Sequence, residues 1–332
     1  MQPIQEALPL LETPKNIFII CHTKPDGDAA GSTLGLKHYL DLKGHQTSLV
    51  VPSELPDFLH FLPGASTVID ATENEGKAVA ALNQADLIFC LDFNSFSRTK
   101  LMEPHLAAAP QPKILIDHHL FPAAVWDYGM SEPHKSSTCE MVYDFINLCG
   151  DNALINLDIA QCLYTGMMTD TGSFRYSATT GSVHRAVADF LDRGLDQTII
   201  HQNVYDSWSE NRMRFVGFAL IEKMEIFPQY KTGLIAISRK DLKLFGLSTG
   251  DTEGLVNYPL SIAGVQLAVL ISERSDEVKL SLRSKGDFDV NVLARNHFNG
   301  GGHFNASGGN SQLSLEETVA YFKEILPQIA PR

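Results

Sequence analysis

The 332 residues are 44% hydrophobic and 20% charged, which is enough apolar mass for two cores and too little polar bias for extended disorder. A net charge of −13 argues against a broad electrostatic grip on long nucleic acid and favours a small or short anionic substrate held by a few local cations. No apolar run nears the ~20 residues of a membrane span, and the first residues lack a basic start followed by an apolar core, so neither a membrane partner nor a secretory leader is expected.

Cys21, Cys90, Cys139, Cys149 and Cys162 are odd in number, lack CxxC spacing and lie mostly in apolar runs. Buried free thiols in a reducing cytoplasm are the expectation. The first half alternates strand-like and helix-like segments. Residues 16–21 (NIFIIC) read as a strand, followed by a loop and a helix over residues 31–42 that stops at Gly44. Residues 47–51, 86–91 and 113–116 read as further strands, apolar enough to be buried on both faces. This alternation predicts an α/β fold with a parallel sheet, flanking helices and a ligand site beyond the carboxyl ends of the strands. Residues 138–193 turn helical. Residues 197–227 read as mostly helical, and a second, smaller α/β unit begins near Thr232. Its β-rich runs are residues 233–237, 265–271 and 277–282. A helix follows over residues 290–298, and a last helix opens on the capping box Ser314-x-x-Glu317. The expected division is 1–195, a connector at 196–229, and 230–332.

Two clusters sit at strand ends: His22, Asp26 and Asp28 in CHTKPDGDAAGS, and Asp117, His118 and His119 in KILIDHHL. Asp92 follows DLIFCL in the position that His22 holds after its own strand, and Asp170 lies in MMTDTGSF at a helix end. Each piece alone is ordinary, since a single Asp at a strand end is usually a turn residue. Four pieces in order at strand and helix ends point to one site for divalent metals, which need oxygen and nitrogen ligands on a rigid frame.

HTKPDGDAAGS, LDFNSFSR, LIDHHLF and MTDTGSF resemble the four successive motifs of the DHH phosphoesterase superfamily, and GGGHFNASGG resembles the nucleotide-binding motif of its DHH-associated domain. Within that superfamily the chain is most similar to the short bacterial group of nano-RNases, oligoribonucleases also described as pAp phosphatases. The resemblance implies one metal on His22, Asp26 and Asp92 and a second on Asp28, Asp92, His118 and Asp170, with Asp92 bridging. Mixed imidazole and carboxylate ligation favours Mn²⁺, with Mg²⁺ and Co²⁺ as alternatives. Two metals ~3.5–4 Å apart can activate water and clamp an in-line displacement at phosphorus. Asp117 would orient a histidine, and His119 would face the phosphate. Arg283, Gly301, Gly302 and His303 would bind substrate, with Arg98 a further phosphate candidate.

The resemblance thus implies hydrolysis of short oligoribonucleotides to 5′-mononucleotides, with pAp to AMP as a second activity. The partners are short RNA and nucleotides, not long duplexes, and homodimer formation stays open. Alternatives are hydrolysis of linear dinucleotides from cyclic-dinucleotide signalling, a RecJ-like single-strand exonuclease, a family-II pyrophosphatase, and a nucleotide sensor that has lost catalysis. Two departures are visible. Ser173 stands where many relatives carry arginine, with Arg175 two places on, and Ser307 replaces an alanine.

Overall fold

The computed structural model describes residues 1–247, 250–275 and 277–331. The chain divides into two compact units, Met1–Ser207 and Trp208–Arg332. Among the described residues, no helix is long and apolar enough to cross a membrane.

The first unit holds strands β1 (Gln2–Pro3), β2 (Asn16–Ile20), β3 (Gln46–Val51), β4 (Ile69–Asp70), β5 (Leu87–Leu91), β6 (Lys113–Asp117) and β7 (Tyr128–Ser131). Its helices are α1 (Gly27–Leu42), α2 (Glu75–Gln84), α3 (Glu103–Ala108), α4 (Thr138–Leu148), α5 (Leu157–Asp170), α6 (Gly181–Asp192) and α7 (Gln197–Tyr205). The strands form one sheet in the order β1-β7-β6-β5-β2-β3-β4, and every neighbouring pair is parallel. The apolar strands resolve into two faces by simple alternation. Ile17, Ile19, Phe89, Ile114 and Ile116 pack with α1, α4 and α5, whereas Phe18, Ile20, Ile88, Cys90 and Leu115 pack with Ala78 and Leu82 of α2 and Leu106 of α3. The chain leaves β2 for β3 on one side and reaches β5 on the other. The carboxyl ends of β2 and β5 therefore frame the crevice where such sheets bind ligands.

Helix α1 starts earlier than its sequence pattern suggests, at Gly27 instead of residue 31. Asp26 is the reason: its Oδ1 accepts from the backbone N–H of Asp28 at 3.1 Å and of Ala29 at 3.0 Å, an N-cap that pulls Asp28 into the first turn. Gly27, Gly31 and Gly35 recur every fourth residue and form a stripe against α5. A Cβ on Gly31 would run into the Cys162 carbonyl oxygen, and one on Gly35 would lie 2.7 Å from Leu163 Cδ2. Gly166 of α5 returns the fit, because a Cβ there would meet Cys139 Sγ and lie 2.8 Å from Asp28 Oδ1. The two helices therefore touch backbone to backbone.

The second unit holds α8 (Glu210–Glu222), β8 (Met224–Phe227), β9 (Thr232–Ile237), α9 (Arg239–Leu244), β10 (Leu267–Glu273), β11 (Val278–Ser284), α10 (Val290–His297), β12 (Gly301–Gly302), β13 (Ala306–Ser311) and α11 (Leu315–Ile329). Its sheet runs β12-β13-β11-β10-β9-β8, with β9 and β10 parallel and all other pairs antiparallel. Val269, Leu280 and Leu282 pack with Leu293, Phe298 and Phe322 on one face, and Ile235 and Ala268 pack with Phe215 and Ala219 on the other. The capping box opens α11: Ser314 N donates to Glu317 Oε2 at 3.0 Å and Glu317 N donates to Ser314 Oγ at 3.2 Å. The stretch 196–229 is shared, with α7 in the first unit and α8 in the second.

Glycine-to-alanine changes should have opposite signs in the two settings. Gly31→Ala should cost about 1–3 kcal/mol, because the backbone of α5 has to shift. Gly217→Ala, inside α8 with nothing within 4 Å of an added Cβ, should gain up to ~1 kcal/mol. Urea denaturation of both variants checks this.

Candidate metal centre

His22 follows β2, Asp92 follows β5, and Asp117 and His118 stand at the end of β6. Asp28 comes from the first turn of α1 and Asp170 from the last residue of α5. Asp28, Asp92, Asp117, His22 and His118 are all buried, Asp28 and Asp117 completely. Asp170 keeps 24% of its side chain exposed, and Asp26 keeps 57%.

Two groups of donor atoms share Asp92. In one, His22, Asp26 and Asp92 offer ligand atoms within 4.8 Å of one another; in the other, Asp28, Asp92 and His118 do so. His22 Nε2 lies 3.4 Å from Asp92 Oδ2 and 4.0 Å from Asp26 Oδ2. His118 Nε2 lies 3.5 Å from Asp92 Oδ1, 3.6 Å from Asp28 Oδ2 and 3.4 Å from Asp170 Oδ2. Each oxygen of Asp92 thus faces one histidine. Asp92 itself has φ +63°, a left-handed backbone that aspartate tolerates better than most residues, and its N–H donates to the Ile116 carbonyl at 3.1 Å.

The far nitrogens of both rings are accounted for. Nδ1 of His22 donates to the Thr23 carbonyl at 2.9 Å, and Nδ1 of His118 lies 3.3 Å from the Lys135 carbonyl. Those contacts select the tautomer with an Nε2 lone pair directed at the carboxylates, the arrangement that suits cation ligation. Imidazole Nε2 atoms and carboxylate oxygens converging in a mostly buried cluster fit divalent cations by the chemistry of the donor set. His119 has a different surrounding: its Nδ1 donates to Asp117 Oδ1 at 2.7 Å and lies 3.7 Å from Asp92 Oδ1.

Sequence reasoning did not find the support that comes from α4. Asp28 Oδ2 accepts from Thr138 N at 2.6 Å and Oδ1 from Cys139 N at 2.8 Å, while Thr138 Oγ1 donates to Asp92 Oδ1 at 2.9 Å. The signal was present in Ser137-x-x-Glu140, which reads as a helix start just beyond Asp-His-His. The Ser137 hydroxyl caps Glu140 N at 3.0 Å. Arg98 is exposed, and its carbonyl accepts from Thr23 N at 2.9 Å, which ties its loop to the residue after His22.

In the second unit Arg283 sits on β11, opposite Ala268 of β10 and Ala306 of β13. Gly301 and Gly302 form β12, paired with Gly308 and Ser307, and His303 and Ala306 exchange backbone hydrogen bonds of 2.8 and 3.3 Å to close the turn. Asn291 Nδ2 donates to the Gly302 carbonyl. Packing explains two of the three glycines: a Cβ on Gly300 would strike the Gly308 carbonyl, and Gly302, at φ +143°, lies against the Ala306 carbonyl. Gly301 has nothing within 4 Å, so packing does not require its bare backbone.

A parallel sheet that gathers imidazoles and carboxylates beyond its carboxyl edge defines an α/β protein whose site could hold divalent cations. The description "DHH family, N-terminal domain" matches residues 16–167, and "DHHA1 domain" matches residues 241–328. The chain belongs to the DHH family of phosphoesterases. It is 28% identical to the bifunctional oligoribonuclease and PAP phosphatase NrnA of Thermus thermophilus, over 96% of this chain and 90% of that protein. It is 29% identical to the probable enzyme of the same name in Streptococcus mutans, over 93% of each. Among solved structures, an exopolyphosphatase-related protein from Bacteroides fragilis superposes with a TM-score of 0.93 at 39% identity, covering 98% of this chain and 95% of that one.

The charges in the site perturb one another. Burial, then the Asp92 charge, pushes the Asp28 carboxyl up to about 7. Burial and then Asp28 push Asp170 well above the carboxylate range. Burial would raise Asp92 too, but the His118 and His22 contacts outweigh it and hold Asp92 well below that range. Burial opposes protonation of His118, and the Asp92, Asp170 and Asp28 charges more than reverse this. Asp28, Asp170 and His118 thus have higher pKa values folded than unfolded. Their stabilisation is complete below the unfolded values and is lost as pH rises through the folded ones. For Asp28 that window runs from about 4 to about 7. Chelator-treated protein should therefore melt at a lower temperature at pH 8 than at pH 6, and excess Mn²⁺ should shrink the difference. Thermal melts with and without the cation measure it, and a pH-independent melt in chelator would contradict the assignment.

Proposed function

We propose that this chain hydrolyses the phosphodiester bonds of short oligoribonucleotides to 5′-mononucleotides, and pAp to AMP, with two divalent cations, Mn²⁺ first among them. The observation that carries this reading is the sharing of Asp92 between the His22/Asp26 and Asp28/His118 groups. His22, Asp26 and Asp92 would hold one cation; Asp28, Asp92, His118 and Asp170 would hold the other. Cations bound there would acidify a water and offset charge on the phosphoryl oxygens.

The remaining steps belong to the side chains. Asp117 holds the Nδ1 proton of His119, so proton exchange with substrate runs through Nε2, which would give its proton to the leaving oxygen as the water oxygen bonds to phosphorus and the P–O bond breaks. Asp117 keeps the ring oriented. Arg98, on the loop tied to Thr23, meets the substrate phosphate from the side of His22. In the second unit, Arg283 would supply a guanidinium for a nucleotide phosphate, and Gly301, Gly302 and His303 would offer backbone and imidazole donors to a nucleotide. A preference for short chains accords with the net charge of −13, which repels a long polyanion outside the locally compensated site.

The test is turnover, in Mn²⁺, of RNA from two to about twenty nucleotides, with pAp, linear dinucleotides, pyrophosphate and polyphosphate alongside. Rates should fall steeply with RNA length, and pAp should be turned over. A preference for long single strands, pyrophosphate or polyphosphate would reject the proposal. Asp92→Asn should lower kcat by at least a thousandfold while leaving the fold intact by circular dichroism, since both cations lose a ligand. Gly301→Ala, which meets no steric obstacle, should keep the melting temperature but raise KM for nucleotide substrates severalfold. Arg283→Ala should do the same and spare a small generic phosphodiester. Equal losses on both substrate types would remove Arg283 from substrate binding.

A further inference from the structure

We infer that Thr138 is a positioning residue that sets the rotation of Asp92 so that each carboxylate oxygen serves one cation. This rests on the two-cation reading above and adds to it the part of the chain that makes the bridge possible. A carboxylate has no strong torsional preference about its last bond, because that torsion is broad and roughly two-fold. An aspartate that joins two separate donor groups must therefore be oriented by something else. Asp92 is buried, with Oδ2 3.4 Å from His22 Nε2 and Oδ1 3.5 Å from His118 Nε2. The Thr138 hydroxyl, itself fully buried, donates to Oδ1 at 2.9 Å.

The chemistry of that donor suits the task. A hydroxyl gives one hydrogen to one lone pair of Oδ1 and leaves the second lone pair for a cation. Lysine or arginine in that place would bring a positive charge to compete with the metal. Threonine is β-branched and stiff at χ1, so the donor is held in place before any ligand binds. Thr138 is also the first residue of α4, behind the Ser137 cap, and the position of its backbone is set by that helix.

The same short segment reaches the other members of the second donor group. Thr138 N and Cys139 N donate to Asp28 at 2.6 and 2.8 Å, and the Lys135 carbonyl lies 3.3 Å from His118 Nδ1. The segment is anchored in turn through Glu140, which is buried and accepts from Ser136 N at 2.9 Å, Ser182 Oγ at 2.5 Å and Lys135 Nζ at 3.3 Å. All three residues of the Asp28/Asp92/His118 group thus have a contact from residues 135–139. In the His22/Asp26/Asp92 group only Asp92 does. Removing the hydroxyl should weaken the second cation far more than the first.

Thr138→Val removes the hydroxyl at nearly constant shape and keeps the backbone N–H on Asp28; Thr138→Ser restores a hydroxyl. Thr138→Ala makes the same comparison if the valine protein is poorly folded. Mn²⁺ binding is measured by calorimetry on the full chain, and the spin coupling between two Mn²⁺ ions by electron paramagnetic resonance. The expected result for Thr138→Val is a tenfold to hundredfold loss of affinity for one cation, the other within about threefold, and loss of the coupled signal at substoichiometric Mn²⁺. Thr138→Ser should return affinity and coupling to near wild type. Wild-type-like binding and coupling in a folded Thr138→Val protein would overturn the inference and leave the two-cation reading standing. Equal damage from valine and serine would also overturn it, since the hydroxyl would then not be the cause. A wild-type protein that binds fewer than two Mn²⁺ would overturn the two-cation reading and this inference together.

Discussion

Two buried carboxylates, Asp28 and Asp92, face the same histidine nitrogen at 3.6 and 3.5 Å, and much of the first unit can be understood as a response to their mutual repulsion. Burying a charge is costly unless hydrogen bonds or opposite charge replace the lost water. The fold supplies both without a single lysine or arginine among the direct contacts named. Asp28 takes two backbone N–H groups at the amino end of α4, where the helix dipole favours negative charge. Asp92 takes a neutral hydroxyl and stands between two imidazoles. The compensation is partial, as the upward shift of Asp28 to about 7 records. An environment in which carboxylates are incompletely neutralised is one that gains from a divalent cation.

The close approach of α1 and α5 makes that crowding geometrically available. Asp28 and Asp170 lie on different helices, and each helix must come near enough for both to reach His118. Glycines at 27, 31 and 35 on one helix and 166 on the other remove the side chains that would hold the axes apart. The same residues that look like poor helix formers are therefore what bring acidic groups from two helices to one histidine. Their cost in helix propensity, about 1 kcal/mol each relative to alanine, is offset by packing and by the position of the site.

The second unit divides its labour in the same way. Gly300 and Gly302 are needed for the tight pairing of β12 on β13, and Asn291 secures the Gly302 carbonyl. Gly301 remains as the position where an exposed backbone has no packing explanation. Packed and open glycines thus stand side by side within three residues, and only the surroundings of each Cβ position tell them apart.

The α/β class and the apolar or alternating strands β2, β3, β5, β6, β9, β10 and β11 were legible in the sequence, whereas the short or polar β1, β4, β7, β12 and β13 carry no such pattern and β8 ends a stretch that reads as mostly helical. The residues that converge, His22, Asp26, Asp28, Asp92, His118 and Asp170, could be singled out from their places at element ends. Other features could not be read there. Asp26 could be singled out as a donor but not as a cap, yet its Oδ1 caps α1 and moves the helix start back to Gly27. Thr138 carries no mark of its role, because its partners Asp28 and Asp92 lie 110 and 46 residues away in the chain. The sequence by itself determined the α/β class, the apolar strands of both units and which side chains offer imidazole and carboxylate donors, since these follow from local pattern and residue type. Only the tertiary structure decided which oxygen of Asp92 meets which histidine, and which glycines are packed and which is open, because those are distances between segments far apart in the chain.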